Sequence, residues 1–337
     1  MISGLMNQSV IGTRAAGVVA PIVGSSDWEA VLGDVTNFTK IGGDKHYFTT
    51  IPHFNSASQV GKSWMPTRTN QSFLLGQAEA DVYNVSSTWS IDPVTQARID
   101  QILANTNAGG SAVGYMQALA KQGIGQRLRM MGLFGLEAGE GIISGAKEVD
   151  MGNDPQANQT IKTYNSDWLA KKLASYISEI DSNMLNTSSE IVILTSNRIY
   201  NELHYARSAT QNTIFDGSVV SIADYLKRVV EGTGRTLKIG KDPILTNSAS
   251  NGQKDHILIL APGISMEQAE TDPLNSVNSF GLEVKNITYN TCMDIGQKVE
   301  KIYPETYAGL NGDIMCSATA GVVLRDGVAF AVTAKYQ

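Results

Sequence analysis

The spacing of apolar residues divides the chain into an aperiodic start, a β-rich stretch, two helices, an alternating helix and strand block, and a β-rich end. Residues 1 to about 25 hold a single charge, Arg14, and no sustained period, which predicts an extended arm with no core of its own. From Tyr47 to Ile91 the pattern predicts strands. They are Tyr47-Phe48-Thr49-Thr50-Ile51, then a Gly/Pro/Ser-punctuated polar stretch to Asn70, then Ser72-Phe73-Leu74-Leu75 and Val82 to Ile91. Val85, Ser87, Trp89 and Ile91 fall on one face, so burial of one side only is expected. A long β excursion with one weakly buried face needs a neighbour to lean on.

Helix begins where Asp92 caps and Pro93 fills the first turn, with Ala97, Ile99, Ile102 and Leu103 as its apolar positions. Asn105 to Gly110 breaks it. A second helix from Ser111 carries Val113, Met116, Leu119/Ala120, Ile124, Leu128 and Met131 at three-to-four spacing, the longest helical signal in the chain. The glycine-rich run Gly132 to Gly145 makes regular helix costly and predicts a turn-rich loop.

From Ser166 helices and strands alternate. Trp168, Leu169, Leu173, Tyr176, Ile177, Ile180 and Met184 mark an amphipathic helix, and Glu190 to Leu194 a short buried strand. Asn197 to Tyr205 and Ser221 to Glu231 read as helices, the latter closed by Gly232. Strands follow at Thr236 to Ile239 and His256 to Leu260, completing an α/β unit of ordinary domain size. After Phe280 the signal is β again, ending in a hairpin turned at Asp326-Gly327.

Composition narrows the function. The 337 residues suffice for one large or two modest domains, and charged residues make up only 17%, so the surface draws on Asn, Ser, Thr and Gln. A net charge of −6 argues against tight binding of nucleic acid, which requires a basic face. No run of about 18 apolar residues is present and no basic start precedes the apolar stretch Ala15 to Val23, so a soluble cytoplasmic protein with no membrane partner is expected. Cys292 and Cys316 lack metal-ligand or disulfide-framework spacing and read as two buried free thiols. Asn84-Val85-Ser86 and Asn158-Gln159-Thr160 are chance products of an Asn/Ser/Thr-rich chain.

No site chemistry is positively indicated: the expected catalytic, cofactor-binding and metal residues are none, and no cofactor is expected. Gly61-Lys62-Ser63 lacks the upstream glycine of a phosphate loop and is followed by Pro66. Gly139-Glu140-Gly141 trails a helix where a dinucleotide fingerprint would follow a strand, and reads as a hinge or turn. His46, His53, His204 and His256 show no metal spacing, and His256, opening a strand, reads as a strand-edge or satisfied histidine and not a base. Gly109-Gly110-Ser111-Ala112-Val113 fails as a nucleophile elbow. Asp313 and Asp326 are explained by Asn-Gly-Asp and Asp-Gly turns.

Taken in order, these elements resemble the major capsid proteins of tailed bacteriophages with the Hong Kong 97 fold. The arm and the β excursion come first, and Trp89-Ser90-Ile91-Asp92 leads into helix. Ser111 to Met131 looks like the family's spine helix, and Gly132-Leu133-Phe134-Gly135-Leu136 with its tail to Gly145 like the loop after it. Gly321-Val322-Val323-Leu324-Arg325 looks like the return to the peripheral domain. The resemblance implies an α+β fold with an N-terminal arm (1–40), an extended β-loop (41–92), a peripheral domain with the spine helix (93–165), an α/β axial domain (166–289) and peripheral return strands (290–337).

It also implies a non-enzymatic subunit that assembles with itself into pentamers and hexamers of an icosahedral head around double-stranded DNA. Portal, scaffold and decoration proteins would be its partners, DNA would be touched only weakly, and the virion would be its location after assembly in the host cytoplasm. No crosslinking Lys/Asn pair carries over. Three other readings predict different things: an encapsulin-type shell, a soluble α/β enzyme with a site at strand ends near Ser196 or Pro262, and a tail-tube or sheath protein forming filaments.

Overall fold

The computed structural model describes residues 44–55, 72–105, 111–156, 159–183, 190–205, 213–215, 218–262, 287–288, 296–302, 309–324 and 326–337. The expected arm, the polar stretch holding Gly61-Lys62-Ser63, Met184 and Cys292 lie outside the described residues. In chain order the first elements are β1 (Lys45–Asn55), β2 (Ser72–Ile91), α1 (Pro93–Asn105), α2 (Ala112–Phe134), α3 (Gly141–Gly145) and β3 (Lys147–Asp150). Then come α4 (Ser166–Asn183), β4 (Glu190–Thr195), α5 (Asn197–His204), β5 (Thr213–Phe215), β6 (Ser218–Val220), α6 (Ile222–Glu231), β7 (Thr236–Lys241) and β8 (Asp255–Leu260). The last are β9 (Ile287–Thr288), β10 (Gly296–Ile302), β11 (Gly309–Thr319), β12 (Val322–Val323) and β13 (Ala329–Ala334).

Two units emerge. Of the described residues, one takes 84–105, 111–127, 296–302 and 309–317, and the other takes the rest. The larger unit is built on a five-stranded sheet of order β3-β13-β8-β4-β7. β8 runs antiparallel to both β13 and β4, while β3 and β7 add parallel edges. Every residue of β8 and β13 is buried, as are five of the six in β4. Continuous apolar runs of this kind belong to sheets covered on both faces. Cover comes from helices: α4 packs on α6, and α5 and α6 pack on β7. α6 buries Ile222, Ala223, Leu226 and Val230 at helical spacing, and the Ser221 hydroxyl caps it by accepting from the Asp224 N–H at 3.1 Å.

The smaller unit follows a different rule. Val85, Trp89 and Ile91 are buried while Asn84, Ser86, Thr88 and Ser90 are exposed. Gly312, Ile314 and Cys316 alternate in the same way along β11, which pairs with β10 from Gly296↔Met315 to Ile302↔Gly309. This is period-two burial of a sheet with one covered face. Trp89 lies over Gly312 so closely that a side-chain carbon there would overlap the indole ring.

Three expectations need correction. Asn311-Gly312-Asp313 is not a turn but the middle of β11, opposite Glu300, Val299 and Lys298; the glycine makes room for Trp89. Asp326-Gly327 does turn, with Gly327 at φ 78, but no hairpin forms, because β12 pairs with β9 and β13 enters the large sheet. The glycine-rich run is less irregular than expected: α2 continues to Phe134, and a helical turn resumes at Gly141. α1 starts at the expected Asp92-Pro93, with Ile99 and Leu103 half-buried and Ala97 and Ile102 exposed. β3, with only Val149 partly buried, gave no signal and exists because β13 supplies a parallel partner.

Candidate assembly surfaces and buried clusters

β2 is 20 residues long, against a mean of about five or six for strands in general, and spans on the order of 65 Å. β1 pairs with its first part from Lys45↔Asp81 to Thr50↔Gly76, then after a register shift from His53↔Leu74 to Asn55↔Ser72. Near the base of this ribbon, Lys45 and Glu79 form an exposed ion pair at 2.7 Å, and Tyr47 presents its ring 53% exposed.

At the end of α2 a glutamate makes the turn. Glu140 accepts from the Leu136 and Glu137 N–H groups through Oε2 and from the Tyr83 hydroxyl through Oε1 at 2.8 Å. Burial, then the hydrogen bond to Glu140 and its charge, pushes the Tyr83 phenol well above its usual value, so it stays a donor. Gly135 and Gly141 hold φ of 70° and 86°, and each faces backbone so closely that a β-carbon would overlap it. The run Gly139-Glu140-Gly141 is thus a tight turn, fastened by the Glu140 carboxylate to the Leu136 and Glu137 N–H groups.

The densest polar cluster lies in the larger unit. Asp255, fully buried at the head of β8, accepts from Arg198 Nε at 2.8 Å and Nη2 at 2.5 Å, from Ser196 Oγ at 2.5 Å and from the Asn247 N–H at 2.7 Å. Burial alone would raise this carboxyl; the donors, Arg198 foremost, outweigh it and hold it below the usual carboxylate range. Arg198 also lies over the Tyr336 ring at 4.7 Å, whose centroid Lys162 approaches at 4.9 Å. Ser196 therefore donates to a carboxylate, caps α5 and has no exposure, which describes a fastening of β4 to β8 and not a nucleophile.

The other expected residues fall apart. Pro262 lies just beyond β8, half-buried. His256 shares a 2.7 Å hydrogen bond between Nδ1 and Ser248 Oγ and meets Phe134 edge-on, the satisfied histidine expected. Burial pushes it below its usual value, against the pull of Glu148 and Asp255. His204 bonds the Tyr200 carbonyl within its own helix. Among the described residues no three His, Cys, Asp or Glu side chains gather to hold a metal ion. A cleft of about 520 Å³ is lined by Asp154, Gln156, Asn165, Trp168 and Lys171, but both Asp154 oxygens are already taken by backbone N–H groups of Gln156 and Asn165. Cys316 is buried and in no disulfide among the described residues. No described helix is long and apolar enough to cross a membrane.

No known family profile and no curated protein matches the sequence. Solved structures do. The capsid of Myoviridae phage XM1 aligns over 97% of each chain with a TM-score of 0.58 at 11% identity. The capsid of cyanophage P-SCSP1u aligns over 98% of this chain and 94% of that one, with a TM-score of 0.52 at 15% identity. The chain has the phage-capsid fold. A third match, the capsid of a native GTA particle, covers 99% of both chains at a TM-score of 0.53 and 7% identity. Because coverage is near complete, the capsid fold extends over both units and not the α/β unit alone, and the α+β architecture of Hong Kong 97 type expected from element order is the one observed.

Proposed function

We propose that the chain is a major capsid protein, a structural subunit without catalytic function that assembles with itself into pentamers and hexamers of an icosahedral head enclosing double-stranded DNA. The observation that carries this reading is the end-to-end correspondence with capsid structures in both directions of coverage. The β1–β2 ribbon supports it, since a strand far longer than a single domain's sheet needs is an element for reaching other copies. The divisions into arm (1–40), β-loop (41–92), peripheral (93–165 and 290–337) and axial (166–289) parts belong to the same proposal. So do portal, scaffold and decoration partners and a place in the virion after assembly in the host cytoplasm. With a net charge of −6 the subunit would touch packaged DNA weakly.

The test is expression of the chain with and without a candidate scaffold, followed by negative-stain imaging and sedimentation. Closed shells or capsomers are expected. Small monodisperse oligomers under every condition would overturn the reading, and long filaments would point to a tail component instead.

A further inference from the structure

The β1–β2 ribbon closes where the Val82 N–H donates to the Asp44 carbonyl at 2.9 Å, and the next residue along β2 is the half-buried Tyr83. The Tyr83 hydroxyl donates to Glu140 Oε1 at 2.8 Å, and both residues belong to the larger unit. The acceptor is held in place independently of the tyrosine. Glu140 Oε2 accepts the Leu136 and Glu137 N–H groups at 3.2 Å each, and Gly139 and Gly141 flank it at φ 94° and 86°. The turn has backbone fastenings as well: the Glu140 N–H donates to the Glu137 carbonyl at 3.2 Å and the Gly141 N–H to the Gly321 carbonyl at 3.1 Å. Fastening of the turn and attachment of the ribbon therefore use different oxygens of one carboxylate and different donors.

A phenol donating to a carboxylate makes a charge-assisted bond, stronger than one between neutral groups. Burial and the Glu140 charge push the phenol above its usual value, so it keeps its proton at neutral pH. An acceptor already fixed by its own turn loses little freedom on forming the bond. Leverage adds to the effect. β1 is 11 residues long and so spans about 35 Å, over which a rotation of about 10° at the root moves the far end by about 6 Å.

We propose that Tyr83 is a positioning residue for shell assembly: its hydrogen bond to Glu140 latches the root of the ribbon and fixes the angle at which the ribbon leaves the larger unit. The assembly role rests on the capsid reading above, in which each contact between copies is repeated by symmetry. The latch itself does not. Tyr83→Phe keeps the ring and deletes the latch alone, Glu140→Ala deletes the latch together with the side-chain fastening of the turn, and Glu140→Gln can keep both. Its amide oxygen accepts from the turn N–H groups while its NH2 donates to the Tyr83 oxygen.

The full chain, with Cys292→Ser and Cys316→Ala, carries spin labels at Tyr47→Cys on the ribbon and Tyr205→Cys after α5, both exposed positions of the larger unit. Mixed with a large excess of unlabelled chain, it is measured by pulsed electron resonance, which reads the distance between the labels within one copy. A single narrow distance is expected with Tyr83 present. Tyr83→Phe should broaden it at least about twofold while the melting temperature falls by no more than about 3 °C, Glu140→Ala should broaden it as much and melt lower, and Glu140→Gln should restore the narrow distance. Distances unchanged in both Tyr83→Phe and Glu140→Ala would overturn the latch. In negative stain, Tyr83→Phe is expected to lower the yield of closed shells or widen their range of diameters. Normal shells despite a broadened distance would overturn the assembly role and leave the capsid reading intact. Absence of shells from the unaltered chain would overturn the capsid reading and the assembly role with it, while the distance measurement still decides the latch.

Discussion

The two units bury their sheets by opposite rules. In the larger unit β8 and β13 are buried along their whole length and α4, α5 and α6 close over the sheet region. In the smaller one, β2 and β11 bury alternate residues, and Tyr115, Leu119, Ile102, Val94 and Met315 remain 38% to 55% exposed. A sheet covered on both faces carries its own stability, whereas one covered on a single face keeps apolar area in reserve for other molecules. The division fits the role proposed above, in which one part of the subunit folds unaided and another is finished by neighbouring copies.

Perturbing the larger unit is the direct way to break that contrast. Asp255→Ala should cost about 3–5 kcal/mol of stability, since it strands the Arg198 guanidinium beside a buried Ser196 hydroxyl. A melting curve of the unassembled subunit would show it, and a loss under about 1 kcal/mol would mean that the cluster is not a fastening. Gly141→Ala comes next, at about 2–4 kcal/mol, because a β-carbon there meets backbone of Phe134 and Gly135. Gly139→Ala, with a positive φ of 94° but open space around it, should cost about 1 kcal/mol. Equal losses for the two glycines would refute the close backbone approach at Gly141.

Gly312→Ala tests the smaller unit's own core and should cost about 1–3 kcal/mol, since the Trp89 ring must shift. Acid should act on the larger unit in two stages. His256 is held below its ordinary 6.5, so its contribution is complete above that pH and is lost as pH falls toward its folded value. Asp255 is held below its ordinary 3.8, so its contribution persists above that pH and is lost only as pH falls through its lower folded value. Urea midpoints from pH 7 to well below 3.8 would resolve the stages, and His256→Asn should flatten the first; an unchanged first stage would reassign it. The smallest effect is expected from Met315→Ser, 49% exposed in the wild type, which should leave subunit stability within about 0.5 kcal/mol. A large loss there would mean that its face is already covered.

Periodicity in the sequence located what local rules control. The start of α1 at Asp92-Pro93, the Ser221 cap, the continuous run of β4 and the one-sided alternation from Val85 to Ile91 each follow from a residue's own neighbours along the chain. The polar clusters of the larger unit carried no local pattern in the sequence. Asp255, Arg198 and Glu140 gave no signal, because their partners lie 57 residues away in the chain or are backbone groups.

What the sequence alone determined is therefore element type and order, and through that order the resemblance to a capsid subunit. Only tertiary structure decided that the two strands flanking Asp326-Gly327 enter different sheets, that Gly312 sits mid-strand beneath an indole, and that β3 is a strand at all. The physical reason is range. Turn preference and hydrophobic period act over a few residues, whereas pairing partners, buried charge and close backbone approach are set by groups that meet only when the chain has folded.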